Sequence, residues 1–284
     1  MIATTLYLIV YSIALLVLVS LGLAVIFGIM KVINLAHGEF IMLGAYSCVF
    51  CVNAGAPLWL AFACATIAVG LFGVVVERLV IRFLYGRIVD TLLASWGLSL
   101  FLVGLVTTVF GPRSWSVPVS FGNVTFAGIN FSSYNFVLIS IAFAMVAITW
   151  AIARFTTVGL IVRGTMQEAT IASALGVNPG LVYMGTFGYG AALAGLAGAV
   201  LVPITGASPT LGLFFVAKAF ITVIVGGHLP LIGTVAASGL FGTIDGFVSY
   251  AWSSVAGEVG VLIVAVVVLR LLPLGITGRM RSGL

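Results

Sequence analysis

Charged residues are scarce in this sequence. Asp, Glu, Lys and Arg together make up 6% of the 284 residues, whereas 63% of the residues are hydrophobic. A soluble domain is usually about a quarter charged, so this chain carries too few polar side chains to cover a surface that faces water. The composition excludes a soluble protein and indicates an integral membrane protein surrounded by lipid. For the same reason, the net charge of +5 does not indicate nucleic-acid binding.

Lysine is rarer still, and its scarcity excludes one kind of ATP site. The chain has two lysines, Lys31 and Lys218, which follow Met30 and Ala217. A P-loop needs a Gly-Lys pair to hold the β- and γ-phosphates of the nucleotide. We therefore expect that this chain does not hydrolyse ATP by itself.

Cysteine and histidine are also few. Cys48 and Cys51 form a C-x-x-C pattern, but it lies within an apolar stretch, so we interpret both thiols, like Cys64, as small packing residues. His37 and Glu39 have no other His, Asp or Cys at the spacing of metal ligands. The sequence also lacks a Ser/His/Asp arrangement or a His/Glu cluster with reactive spacing. It predicts no metal, no cofactor and no enzymatic activity.

Long apolar runs dominate the chain, and each is close to the roughly 20 residues that a helix needs to cross a bilayer. The first, residues 6–30, lacks the basic flank of a secretory signal and leads into a second apolar segment, so we interpret it as a membrane helix. We predict an all-α polytopic membrane protein with one domain, residues 1–284, and eight or nine transmembrane or re-entrant helices. The predicted spans are residues 6–30, 39–53, 57–76, 90–110, 134–153, 181–203, 213–229, 231–250 and 258–274.

Basic residues near a membrane span mark the cytoplasmic side. Nine of the eleven basic residues fall on every second connection between the predicted spans or near the C-terminus. The connections in between carry only Arg113. This parity predicts an external N-terminus and an internal C-terminus, provided that both halves of residues 213–250 cross fully. If one half is re-entrant, the N-terminal assignment reverses. The nine residues are Lys31, Arg78, Arg82, Arg87, Arg154, Arg163, Arg270, Arg279 and Arg281.

The outer connection, residues 111–133, is long enough to have its own structure. Apolar residues alternate on both sides of Gly122-Asn123 in the stretch 117–129. Gly-Asn suits a two-residue hairpin turn, so we predict a small external β-hairpin centred there. It either covers the helix ends or forms a docking place for a soluble donor protein.

The inner connection, residues 154–180, contains a short amphipathic segment. Thr165 and Glu168 have the spacing of a capping box, which predicts a helix from Met166 that ends at Gly176 and is stopped by Asn178-Pro179. About ten residues are too few to cross a bilayer. No basic residue lies between Arg163 and Pro179, unlike in helices that rest on anionic lipid. We therefore favour a protein-docking helix over a membrane-surface connector.

The stretch around residues 31–40 places polar residues at a break between two apolar spans. We predict that Asn34 caps the helix that follows and that Glu39 lies near the positive end of its dipole, while Gly38 allows a neighbouring backbone to approach. Transporters place such interrupted helices beside the solute path. Asn34, His37, Gly38 and Glu39 are therefore candidates for the path or its inner gate, although Lys31 indicates that the break is near the cytoplasmic surface. Interhelical hydrogen bonding is the alternative for His37 and Glu39.

A comparable interruption lies at residues 224–233, where Gly226 and Gly227 are followed by His228 and Pro230. Paired breaks in two halves suggest an internal repeat around one path, so both glycines join the candidate path residues. Lys218 and Asp245 lie inside apolar segments on adjacent predicted helices. We predict that they form a buried ion pair, with Lys218 reaching toward the outer surface as the alternative.

Several motifs resemble one known family, the membrane permeases of branched-chain amino acid ABC importers, which are related to urea and short-chain amide permeases. The resemblance rests on I-N-L-A-H-G-E-F-I-M-L-G-A-Y at residues 33–46, A-L-G-V-N-P at 174–179, G-A-A-L-A-G-L-A-G at 190–198 and I-V-G-G at 224–227. These motifs occur in the family's order over nearly the whole chain. The triplet that begins at His228 departs from the glycine-rich continuation of the family.

The resemblance implies a multi-pass importer subunit of a bacterial-type cytoplasmic (inner) membrane. Its implied partners are two cytoplasmic ABC ATPase subunits, a second permease subunit that is expected to be a related chain, and a soluble extracytoplasmic substrate-binding protein. It also implies that the inner helix is the coupling helix that seats on the ATPase. The implied coupling residues are Arg163, Glu168, Ala174, Gly176, Asn178 and Pro179.

The sequence leaves alternatives open for the function. Branched-chain amino acids are the expected substrates, but a urea or short-chain amide importer has the same overall pattern, because the soluble binding protein does most of the selection. A self-sufficient secondary transporter or channel is the alternative from another class, and it would work without an ATPase.

Overall fold

The computed structural model describes residues 2–119, 122–126, 129–227 and 229–278. Its elements are α1 (Ile2–Met30), α2 (His37–Asn53), α3 (Leu58–Leu79), a 3-10 turn (Ile81–Leu84), α4 (Ile88–Phe110), β1 (Asn123–Phe126), β2 (Ile129–Ser132), α5 (Ser133–Phe155), α6 (Thr157–Gln167), α7 (Ala169–Ala174), α8 (Pro179–Thr205), α9 (Leu211–Gly226), α10 (Pro230–Ala251) and α11 (Ser254–Leu271).

The helices confirm the prediction of an all-α polytopic membrane protein. Each of the nine predicted spans corresponds to one helix, namely α1 to α5 and α8 to α11. Within the described residues, seven of these helices are long and apolar enough to cross a membrane. The other two, α2 and α9, have only 17 and 16 residues. Both short helices adjoin one of the two predicted breaks.

The chain forms two compact units. The central unit comprises Leu21–Pro118 and Ala147–Ala217, and the terminal unit comprises Met1–Ser20, Val119–Val146 and Lys218–Leu284. The core of the central unit is α8, which packs against α2 and α3. The terminal unit has its own apolar core, in which α10 and α11 pack together around Phe241 and Ala265.

Small residues allow the helices of the central unit to touch backbone to backbone. A Cβ built on Gly198 of α8 would overlap the carbonyl oxygen of Ile41 in α2, and one on Gly195 would lie 2.6 Å from the Cβ of Val69 in α3. Lipid offers helices no hydrophobic reason to associate, so such close packing is a main source of their attraction. It holds α2 firmly on α8 although α2 is short.

The external hairpin exists, but its position differs from the prediction. Strand β1 pairs antiparallel with β2, with Asn123 opposite Ser132 and Phe126 opposite Ile129. The amide of Ser133 also donates to the carbonyl of Gly122 at 3.3 Å, which keeps Gly122-Asn123 extended. The predicted turn at Gly122-Asn123 is therefore wrong, because the strands are connected through residues 127–128, which lie outside the described residues.

The inner connection forms two helices instead of one. Helix α6 begins at Thr157, where the hydroxyl of Thr156 accepts a hydrogen bond from the amide of Gly159 at 3.0 Å. Thr165 lies inside α6 and its hydroxyl donates to the carbonyl of Ile161 at 2.9 Å, so it has no free helix end to cap. Glu168 is extended and separates α6 from α7. The capping box predicted for Thr165 and Glu168 is therefore wrong.

The end of this connection agrees with the prediction. Gly176 has a φ of +88°, the left-handed conformation that terminates a helix. The side-chain oxygen of Asn178 accepts from the amide of Gly180 at 3.0 Å, and Pro179 occupies the first position of α8. Asn178 and Pro179 therefore stop α7 and start the long core helix α8 at the same point.

Candidate functional site

The first break folds back along α1. Helix α1 ends at Met30, and the exposed Lys31 has a left-handed φ of 53°, which reverses the chain. The side chain of His37, the first residue of α2, lies beside Gly22. Gly22 is eight residues before the end of α1, which is about 12 Å at the helical rise. Only the start of the break is therefore at the helix end, and His37 lies about two helical turns back along α1.

Asn34 shapes the turn before α2. Its side-chain oxygen accepts from the amide of Ala36 at 3.1 Å, and its carbonyl accepts from the amide of His37 at 3.3 Å. The residue at the cap position is Ala36, which makes no side-chain cap hydrogen bond. The prediction that Asn34 caps α2 is therefore wrong. The side chain of Asn34 satisfies the amide of Ala36, the residue just before the helix.

Ser95 of α4 holds the break in place. Its hydroxyl accepts from the amide of Leu35 at 3.1 Å and lies 3.3 Å from the carbonyl of Ile33, to which it can donate. Thr91, Ser95 and Ser99 follow one another at four-residue spacing, and all three are buried. This spacing puts the hydroxyls on one face of α4. Sequence reasoning missed Ser95, although this stripe in an apolar helix could have indicated it.

The break places three polar side chains in the interior. Asn34 and His37 are fully buried, and Glu39 is 1% exposed. Ser99 is close to the carboxylate of Glu39, but no donor in the described part of the chain completes a hydrogen bond to either carboxylate oxygen. The side-chain nitrogen of Asn34 has no partner there either. Polar groups buried at membrane depth are costly, so they mark candidate functional positions.

Two helix N-termini meet at Gly38. A Cβ built on Gly212, in the first turn of α9, would lie 2.5 Å from the carbonyl carbon of Gly38 and 2.9 Å from the amide nitrogen of Glu39. As predicted, Gly38 permits close approach by another backbone. Each helix N-terminus carries a partial positive charge. Glu39, in the first turn of α2, therefore brings a carboxylate to a place where two positive helix ends come together.

The second break lies in the terminal unit and is held by residues near the C-terminus. Gly227 has a φ of +85°, which ends α9 before Pro230 starts α10. The hydroxyl of Thr277 donates to the carbonyl of Gly226 at 2.6 Å and accepts from the amide of Leu229 at 3.1 Å. Sequence reasoning missed Thr277, because it follows the last apolar span and belongs to no motif. His228 lies outside the described residues.

Lys218 pairs with a residue other than the predicted one. Its ammonium nitrogen lies 2.7 Å from a carboxylate oxygen of Glu258, near the start of α11. Asp245 instead accepts from the hydroxyl of Ser249 at 3.4 Å, one turn along the same helix. The prediction of a Lys218–Asp245 ion pair is therefore wrong. The carboxylate of Glu258 is half exposed, so Lys218 reaches it without burying either charge.

A buried carboxylate also lies where α3 ends. Glu77 is 1% exposed, and the hydroxyl of Tyr85 donates to it. Burial, followed by this hydrogen bond and the charge of Glu77, raises the pKa of Tyr85 above its usual value, so the phenol remains a donor at neutral pH. The ring of Tyr85 packs edge-on against Tyr183 in α8, with centroids 5.0 Å apart. This cluster connects α3 to the start of α8, four residues after Pro179.

The predicted coupling residues lie on the inner connection, and most of them are accessible. Arg163 and Pro179 are half-buried, whereas the others are exposed, as are the apolar side chains of Ile171 and Leu175. Leu175, the residue after α7, is 80% exposed and thus does not dock onto this chain, while Ala172 within α7 is buried. The exposed residues of the predicted set are Glu168, Ala174, Gly176 and Asn178.

Comparisons with known proteins agree with this architecture. The chain is 29% identical over 280 residues to the high-affinity branched-chain amino acid transport system permease protein LivH of Escherichia coli (strain K12), and the match covers 92% of this chain and 91% of that protein. It is 27% identical over 281 residues to the permease protein BraD of Pseudomonas aeruginosa, with the same coverage. No solved structure gives a significant match.

The family comparison covers most of the chain. The sequence model described as "Branched-chain amino acid transport system / permease component" matches residues 5–272. This range includes both breaks, the inner connection and the nine apolar helices from α1 to α11. The chain therefore belongs to the family of permease components of branched-chain amino acid transport systems.

Proposed function

We propose that the chain is the membrane permease subunit of an ATP-driven ABC importer for branched-chain amino acids. The observation that carries the proposal is the first break, because it folds back along α1 and places Asn34, His37 and Glu39 in the interior. Interrupted helices with polar groups at depth are typical of solute paths in transporters. The substrate follows from the relatives LivH and BraD, whose names specify branched-chain amino acids.

In the central unit, the first break contributes Asn34, His37, Gly38 and Glu39 to the path, and Ser95 holds them in place. In the terminal unit, Gly226 and Gly227 of the second break are candidate path residues in their own right, and Thr277 holds them. The protein resides in the cytoplasmic (inner) membrane and crosses it several times. The positive-inside rule assigns the inner connection to the cytoplasm.

Partner ATPases provide the driving force. Neither of the two lysines follows a glycine, so the chain has no P-loop for ATP. Two cytoplasmic ATPase subunits bind the inner connection, whose exposed Ile171 and Leu175 supply apolar contacts. A second, related permease chain and a soluble external binding protein complete the importer. Movement of α7 reaches α8 directly, because only residues 175–178 separate the end of α7 at Ala174 from the start of α8 at Pro179.

Affinity purification of the tagged chain in mild detergent tests this assembly. We expect a P-loop ATPase and a second permease to co-purify. Leu175→Asp should reduce recovery of the ATPase by about tenfold, because it places a charge in an apolar contact. Val124→Asp is the matched control, since Val124 is an exposed apolar residue of the external hairpin. It should leave recovery unchanged.

Two outcomes would contradict the proposal. If the intact chain is folded and repeatedly purifies alone, a self-sufficient transporter or channel becomes the better interpretation. If the complex assembles but transports urea or a short-chain amide in place of leucine, the importer assignment holds and the substrate assignment fails.

A further inference from the structure

Glu39 is a buried carboxylate that forms no ion pair within the described part of the chain. It is 1% exposed, and within the described residues the ion pairs between side chains are Arg87–Asp90 and Lys218–Glu258. Neither of its carboxylate oxygens has a hydrogen-bond partner in the described ranges. Glu77, the other carboxylate buried to the same degree in the central unit, does have a donor, the hydroxyl of Tyr85. Glu39 therefore differs from a carboxylate that only stabilises the fold.

An ionised carboxylate in a membrane interior needs compensation. The N-termini of α2 and α9 offset part of the cost, because each brings a partial positive charge toward Glu39. A partial charge at a helix end does not replace the hydrogen-bond donors that a carboxylate loses when it leaves water. A group with a full positive charge and N–H donors would supply both.

The neighbours of Glu39 indicate which cation fits. Ser99 is close to the carboxylate, and Asn34, His37 and Ser95 are the other polar residues at the break, so Glu39 is the one acidic group among them. Divalent cations usually bind several carboxylate or carbonyl oxygens. A single carboxylate beside hydroxyl, amide and imidazole side chains is better suited to an ammonium group, which donates up to three hydrogen bonds.

The helix ends favour a zwitterion over a bare cation. The meeting of α2 and α9 at Gly38 and Gly212 is positive, so it disfavours an inorganic cation nearby. An α-amino acid carries a carboxylate next to its ammonium, and that carboxylate gains from the same helix ends. Urea and simple amides carry neither charge.

We propose that the carboxylate of Glu39 binds the α-ammonium group of the transported amino acid. This inference rests on the proposed function and adds a site that distinguishes amino acids from urea and amides within the membrane. It gives the permease a selectivity of its own, independent of the soluble binding protein.

Binding measured on the assembled complex in lipid nanodiscs, without the binding protein, tests the site. The two probes are radiolabelled leucine and 4-methylpentanoate, which has the same carbon skeleton and carboxylate but no ammonium. We expect the wild-type complex to prefer leucine by about 10- to 100-fold, the range for a buried charge-assisted hydrogen bond. Glu39→Gln should abolish this preference, whereas Glu77→Gln, the matched buried carboxylate, should keep it.

Glu39→Asp covers the case in which Glu39→Gln does not assemble. It keeps the charge but withdraws it by one methylene, so the preference for leucine should fall without disappearing. An unchanged preference in either Glu39 variant overturns the proposal. So does a preference that is lost when sodium is replaced by N-methyl-D-glucamine, because the bound cation would then be inorganic.

The test separates this site from the proposed function. Leucine uptake by the complete wild-type importer reports on the proposed function, and the ratio of the two probes reports on Glu39. If the wild-type importer takes up leucine but the complex binds leucine and 4-methylpentanoate equally well, the Glu39 site is overturned and the proposed function stands. A complex that takes up urea and does not bind leucine contradicts both.

Discussion

The backbones of Gly38 and Gly212 touch, which brings the first turns of α2 and α9 to the same place in the central unit. With 17 and 16 residues, α2 and α9 are shorter than the other helices that correspond to predicted spans. A short helix whose N-terminus is buried leaves amide groups and a positive end in the interior. The position of Glu39 is explained by this relationship, because a carboxylate in the first turn of α2 lies where that positive charge is greatest.

The Gly38 contact should not tolerate a side chain. Gly38→Ala would place its methyl group on the carbonyl group of Gly212, so backbone must shift, and we expect a loss of about 1–3 kcal/mol of stability. Thermal unfolding of the purified protein in detergent measures this loss. Gly104→Ala in α4 is the control, because a Cβ there meets nothing within 4 Å. Equal melting temperatures for the two variants would contradict the contact.

Ser95 should control how firmly the first break is held. Ser95→Ala removes the acceptor for the amide of Leu35, so we expect that amide to exchange with deuterium about 5- to 10-fold faster. Leucine uptake should fall as well, because the path residues lose their position. Ser140→Ala serves as the comparison, since Ser140 is an exposed hydroxyl that bonds only within its own helix α5. Unchanged exchange at Leu35 would show that Ser95 does not hold the break.

Thr277 should have the same role at the second break. Thr277→Val keeps the shape of the side chain but removes its hydrogen bonds with Gly226 and Leu229. We expect the amide of Leu229 to exchange about 5- to 10-fold faster. Thr277→Ser restores the hydroxyl and should restore protection. If valine and serine behave alike, the hydroxyl is not what holds this turn.

Tyr85 should stabilise the fold through Glu77. Tyr85→Phe leaves that buried carboxylate without its donor, and the expected cost is about 1–3 kcal/mol. Because the pKa of Tyr85 is raised above the usual 10.0, its contribution is fully present below pH 10 and is lost as the pH rises through the raised value. The cost should therefore be constant between about pH 6 and 9. Tyr250→Phe, an exposed tyrosine in α10, is the control for thermal unfolding.

Apolar runs predicted the helices well because a bilayer imposes a simple rule. A span must be apolar and about 20 residues long, so composition alone locates it. The end of α7 at Gly176 and the stop at Asn178-Pro179 were also predictable, since left-handed glycine and proline act through the local backbone. The start of the first helix in the inner connection was not predictable from sequence. Thr156 and Thr165 are both residues of a type that caps helices, and only the three-dimensional structure shows which of them is at a helix end.

The contacts at the candidate site depend on chain segments that are far apart in sequence. Leu35 and Ser95 are 60 residues apart, and Leu229 and Thr277 are 48 apart. No local pattern contains such a pair. The ion pair of Lys218 shows the same limit, because Asp245 and Glu258 are both acidic residues on neighbouring helices and sequence does not tell which is within reach. The return of the first break along α1 likewise depends on the packing of His37 beside Gly22.

ATP-dependent uptake of radiolabelled leucine into proteoliposomes is the most direct test of the central claim. The vesicles would contain this chain, its partner permease and their ATPases, with the binding protein added outside. We expect uptake that requires ATP and the binding protein and that is lost with Leu175→Asp. Uptake that proceeds without ATP, or a complex that hydrolyses ATP but does not accumulate leucine, would contradict the account.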